Sequence, residues 1–247
     1  MNALLQMFAA YADTYFLTAA RLFCFLLCVP GFGDLQVPRR VRFLMAVAIC
    51  FVVAPLLKVQ AVFSFPMLFQ ECLLGFFVGT LVRLFFDSFV MAGALISQQT
   101  SFGNTMRAAL SHEVRDVFSV FCHLYFITLF FCYDLHLLLI RGLCDSYHVL
   151  PLGHNFWEMA FLESLTHILT QGIKAAFSLT IPFWVMGIFY YVILGLLNRL
   201  VPMMPVFFVG QPLVVFGVLL MMILCLSRFA YLFSSLWTDF LYRLFLT

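Results

Sequence analysis

LVPMMPVFFVGQPLVVFGVLLMMILCLS, residues Leu200–Ser227, runs for 28 residues without a charged side chain. Just upstream, across the single charge of Arg199, AAFSLTIPFWVMGIFYYVILGLLN (Ala175–Asn198) gives another 24. A helix needs roughly 20 apolar residues to cross the hydrocarbon core of a bilayer, so each run exceeds one crossing. A third charge-free run occupies Val117–Tyr133. A transmembrane β-barrel would instead show segments of about ten residues that alternate apolar and polar. Phe126–Cys132 does not alternate, so these runs read as helices.

The whole chain agrees. Of 247 residues, 65% are hydrophobic and 10% charged, with a mean hydropathy of +1.09. Such a chain cannot coat a soluble surface with polar groups. The fold class is all-α, a polytopic membrane protein of about six long, tilted or kinked helices in one domain over residues 1–247. Six hydrophobic regions carry it: about 4–29, 42–57, 67–97, 117–140, 172–198 and 206–236. Met1–Ala20 has no basic start and holds Asp13 where a signal peptide is apolar, so it reads as part of the first helix.

The net charge of +2 comes with no long basic run, which excludes nucleic acid as a partner. Seven of eight cysteines fall in apolar runs, Cys144 lies just past one, and no CxxC pair occurs. They read as small apolar filler, with no metal or other cofactor. His112-Glu113-Val114-Arg115-Asp116 misses the zinc motif HExxH at its fifth position and reads as a charged loop. No GxSxG elbow and no paired intramembrane carboxylates occur, which points away from an enzyme.

Several regions fit a bilayer badly. Between Arg42 and Lys58 lie 15 uncharged residues, about 22 Å of helix against about 30 Å of hydrocarbon. Region 67–97 is 31 residues, about 46 Å, and is interrupted by Glu71, Arg83 and Asp87. A charge at a helix centre costs about 2.5–3.5 kcal/mol, so each should face protein or water. Arg83 and Asp87 are four apart and can pair, whereas Glu71, Arg21 and Arg228 have no local partner in sequence. Lysines and arginines favour an extracytoplasmic N-terminus by a small margin.

Gly75-Phe-Phe-Val-Gly79 is a GxxxG that admits a neighbouring backbone, and Gly93 in Ala92-Gly93-Ala94 repeats the theme. Pro182 inside the fifth region removes a backbone donor and predicts a kink. Ser97-Gln98-Gln99-Thr100-Ser101-Phe102-Gly103-Asn104-Thr105-Met106 is uncharged yet polar, and directly follows the long third region. It suits a plain surface loop, or a loop lining a water-filled cavity, the setting in which irregular backbone is tolerated at membrane depth.

Taken in order, these pieces resemble the FliR/SctT family, a component of the type III protein export gate of flagella and injectisomes. Pro30-Gly31-Phe32, Pro38-Arg39-Arg40 and Pro55 match its first loop and second helix. Glu71, Gly75, Gly79, Ala92-Gly93 and Gln98–Asn104 match its most specific block, and His136, Asp145-Ser146, Pro151-Leu152-Gly153 and Pro182 its middle. Arg199, Pro202, Met204, Val206, Phe207, Gly210 and Pro212 resemble its late signature, which departs at Met203, where the family usually has Gln.

The resemblance implies a non-enzymatic subunit that joins FliP-like and FliQ-like subunits in a helical ring at the entry of the channel. FlhB-like and FlhA-like components are implied nearby, with unfolded secreted proteins as transported substrate. The setting implied is the bacterial inner membrane, within a flagellar basal body or an injectisome base. It also implies that the loop after the third helix, about Gln98–Arg115, projects into the lumen as a plug. Gln98, Gln99, Phe102, Gly103, Asn104 and Met106 would form it, Phe102 and Met106 making its apolar seal. The competing reading is a stand-alone secondary transporter or channel, which needs charges converging on a midplane site and usually an internal repeat. No repeat is visible.

Overall fold

A computed structural model describes residues 2–33, 37–56, 64–99, 117–149, 161–200 and 206–246. All regular structure among them is helical: α1 Asn2–Cys28, α2 Arg39–Val53, α3 Phe65–Gln99, α4 Val117–Cys132, α5 Leu135–Val149, α6 Phe161–Leu200 and α7 Val206–Leu246. One 3-10 turn, Ala54–Leu56, follows α2.

Proline and glycine set the breaks. α1 is followed by Pro30 and then Gly31 at φ 82°, a left-handed conformation open to glycine without penalty. Gly33 closes the turn by donating its N–H to the Val29 carbonyl at 2.6 Å. Pro38 caps α2 in an extended conformation, its carbonyl accepting from the Val41 and Arg42 amides. Pro55 lacks the N–H that would continue α2, and the chain tightens there into the 3-10 turn.

The region expected as one helix over 117–140 is two. α4 and α5 are bent by 67° about Tyr133–Asp134, where Asp134 takes φ 54°. Aspartate tolerates that conformation better than most residues, and its carbonyl accepts the first amides of α5, from Leu137 and Leu138. The expected bounds of the last two helices also move outward, at both ends of the first and at the C-terminal end of the second. α6 begins at Phe161 and has 40 residues, and α7 reaches Leu246 with 41. Pro182 lies inside α6, which runs on through it.

Among the described residues, α3, α6 and α7 are each long and apolar enough to cross a membrane; counting the bent α4–α5 pair as one span makes four. At 1.5 Å per residue α6 and α7 are about 60 Å long, twice the hydrocarbon thickness, so upright crossing would leave about half of each outside it. Only 28% of the apolar window of α6 and 22% of that of α7 is buried within the chain, so most of this apolar surface faces outward.

The described residues form two compact units. One draws on 1–86, 134–169 and 239–247, the other on 87–133 and 170–238. In the first, Phe85 stacks on Phe240 with ring centroids 4.3 Å apart, and Thr18 on α1 bonds the Cys50 sulfur on α2 at 3.2 Å. In the second, Phe118, Cys122, Phe126 and Phe130 recur every fourth residue on α4 and are all buried. That spacing lines one helix face. Phe126 meets Phe89 at 5.4 Å and Phe233 at 5.1 Å, while Phe130 meets Trp237 at 5.5 Å. Tyr125 donates its hydroxyl to the Leu226 carbonyl at 2.7 Å, pinning α4 to α7.

Candidate functional site

The C-terminal end of α3 is where the chain departs into the polar stretch singled out by sequence. Of that stretch Gln98 is exposed and Gln99 half-buried; Phe102, Gly103, Asn104 and Met106 lie outside the described residues. The last carbonyls of any helix lack intrahelical partners and need others. Here the Gln99 carbonyl accepts the Tyr191 hydroxyl of α6 at 3.0 Å. In the amide orientation that satisfies both neighbours, the Gln99 nitrogen donates to the Phe183 carbonyl at 2.9 Å. Its oxygen accepts from Trp184 Nε1 at 3.2 Å. The amide lies directly against Gly187, where an added Cβ would collide with it. Phe183, Gly187 and Tyr191 are four apart and therefore line one face of α6.

Six residues earlier, Gly93 meets the other end of the same connection. A Cβ at Gly93 would lie 2.7 Å from the Phe118 carbonyl oxygen and 2.9 Å from Cys122 Cβ. α3 and α4 therefore touch backbone to backbone. Six residues rotate about 240° round a helix, so Gly93 and Gln99 face different ways. The end of α3 is gripped on one side by α4 and on another by α6.

A second feature sits in the other unit. Arg21 Nε lies 2.5 Å from Glu71 Oε2, and the two residues are only 3% and 1% exposed. The Arg21 guanidinium also stands 4.2 Å from the centre of the Tyr147 ring. Such a pair needs each partner, because removing one leaves an uncompensated buried charge. Glycine lets the helices approach. A Cβ at Gly75, one turn after Glu71, would strike the Arg21 carbonyl oxygen, and one at Gly79 would lie 2.8 Å from that of Phe25. Arg83 and Asp87, further along α3, are both exposed, as is Arg228.

The late signature is partly visible. Arg199 lies in the last turn of α6, where a cation is favourable to the helix dipole. Pro202 is outside the described residues, and Phe207 lies in the first turn of α7. Gly210 packs against the Tyr190 hydroxyl and Leu194 of α6. Among the described residues no three His, Cys, Asp or Glu side chains are grouped to hold a metal ion.

Sequence reasoning missed Trp184, Gly187 and Tyr191, and left Arg21 and Glu71 without partners. An isolated glycine in an apolar helical run is a signal of close approach, and Gly187 was one. The ion pair gave no signal, because its members are 50 residues apart.

Long apolar helices, charges buried against each other, and glycine-mediated helix contacts together define a polytopic membrane protein. Residues 12–240 match the family of bacterial export proteins, family 1, and the chain belongs to that family. It is 29% identical over 253 residues to a flagellar biosynthetic protein FliR of Caulobacter vibrioides, covering 97% of this chain and 96% of that one. Against the FliR of Aquifex aeolicus it is 29% identical over 237 residues, covering 92% and 90%. Against that of Escherichia coli it is 28% identical over 215 residues, covering 84% and 82%. The resemblance carried by the motifs therefore holds along nearly the whole chain.

Proposed function

We propose that this chain is a non-enzymatic core subunit of the bacterial type III export gate, on the flagellar side. In the inner membrane it joins FliP-like and FliQ-like subunits at the entry of the protein-conducting channel, near FlhB-like and FlhA-like components. Unfolded secreted proteins pass through, and the 100–116 connection plugs the path when none does; Gln98 and Gln99, expected in that loop, are the last residues of α3. The family membership and the flagellar relatives support the machine. The observation that carries the plug is the gripped end of α3: Gln99 and Gly93 fix, from two sides, the base of a connection whose first residues, up to Met106, are polar and uncharged. The outward apolar surface of α6 and α7 supports a chain built for partner helices as well as lipid. A stand-alone transporter would need charges converging on an ion site. Glu71 is engaged by Arg21 instead, and Arg83 and Asp87 are exposed.

Shortening Thr100–Met106 in the assembled gate tests the plug. Small-molecule leakage through the membrane should rise while the complex still assembles. Unchanged leakage in an assembled complex rejects the plug.

A further inference from the structure

The hold on Gln99 is more specific than helix packing requires. Apolar helix contacts in a membrane are made by shape, and a polar side chain adds stability only where it finds partners. Gln99 finds three on one stretch of α6: the Phe183 carbonyl, the Trp184 indole and the Tyr191 hydroxyl. Two come to its side chain and one to its own carbonyl, so both the residue and the helix end it terminates are fixed. The Phe183 carbonyl belongs to the turn that holds Pro182. Buried Gly187 leaves the space in which the amide lies.

We propose that Gln99 is a positioning residue, a latch between α3 and α6 that sets the point at which the α3–α4 connection leaves the helix. Phe183, Trp184, Gly187 and Tyr191 are its keeper. The latch acts on the plug through the backbone at residue 99, so it rests on the plug reading above. Because its bonds are hydrogen bonds of ordinary length, each is worth little net and can be exchanged for water. The latch therefore holds the connection in place at rest and gives way without breaking the aromatic core of α4 and α7.

Gly187 makes the idea testable from both sides. Gln99→Ala removes the bolt. Gly187→Ala leaves Gln99 intact but fills the space of its amide with a methyl group. The atom it meets is the far end of a flexible side chain, which can swing out without backbone movement. Alanine is also the better helix former, so this variant keeps or gains helix stability.

Both variants, and the pair together, are placed in the assembled gate with its partner subunits and compared with the Thr100–Met106 shortening. Passive leakage of a small solute and yield of purified complex are measured side by side. The latch predicts that each single variant raises leakage roughly tenfold, the shift given by losing one or two net hydrogen bonds. Yield should stay within about twofold of wild type, and the double variant should leak no more than the leakier single. Multiplying leakage in the double variant would mean two separate effects and overturn the latch. Wild-type leakage in both singles, beside a leaky shortened loop, rejects the latch and leaves the plug standing. Wild-type leakage in all of them rejects the plug and the latch with it.

Discussion

Gly75→Ala asks whether α1 and α3 really meet backbone to backbone. The added carbon would strike the Arg21 carbonyl oxygen, and would lie 3.0 Å from its carbon and 3.1 Å from Arg21 Cα. Ordinary contact begins near 3.4 Å, and all three atoms belong to the main chain, so no rotamer change relieves the clash. α1 must back away. Overpacking of this kind costs about 1–3 kcal/mol, and the better helix propensity of alanine returns at most about 1 kcal/mol. A further cost arises because Glu71 lies one turn before Gly75 and holds Arg21 at 2.5 Å. Separating the helices stretches that buried pair, whose full loss is worth about 3–5 kcal/mol. Gly195 supplies the control, since a Cβ there meets nothing within 4 Å. In thermal unfolding of the purified gate, Gly75→Ala should lower the midpoint by about 2–8 °C, while Gly195→Ala leaves it unchanged or slightly raised. If the two variants unfold together, the close α1–α3 approach is wrong.

Two further substitutions probe the same scaffold. Glu71→Leu strands the Arg21 charge in a site 3% exposed and should destabilise by about 3–5 kcal/mol, whereas adding Arg21→Met should recover most of the loss; thermal unfolding of the three variants measures this. At the α4–α5 bend, Asp134→Gly should be tolerated, while Asp134→Val should cost about 1–2 kcal/mol because a β-branched residue resists φ 54°; equal midpoints for both would show the bend is not held at that residue.

What the sequence made legible was set by length and charge. α3 was visible as one over-long apolar run with three charges in it, and it is one helix from Phe65 to Gln99. The bend at Asp134 was hidden because hydropathy averages across a single charged residue, although that residue is a turn former between two apolar runs. The first turns of α6 were passed over because Glu163, Thr166, His167, Thr170 and Gln171 dilute the hydropathy without disturbing helical backbone. Arg21 and Glu71 were each recognised as too costly to face lipid, yet pairing them needs the fold, since no spacing rule reaches across 50 residues. Gln99 was visible as part of an odd polar stretch. Its keeper was not, because Trp184 and Tyr191 sit in a run read for its apolarity alone, where an indole N–H and a phenol count as hydrophobic bulk.

The proposed gate assigns the outward apolar surface of this chain to the other subunits. Purification in mild detergent, alone and together with FliP-like and FliQ-like partners, tests it directly. Aggregation or poor recovery is expected of the chain alone, and one monodisperse complex when the partners are present. A stable, monodisperse chain that ignores those partners would contradict it.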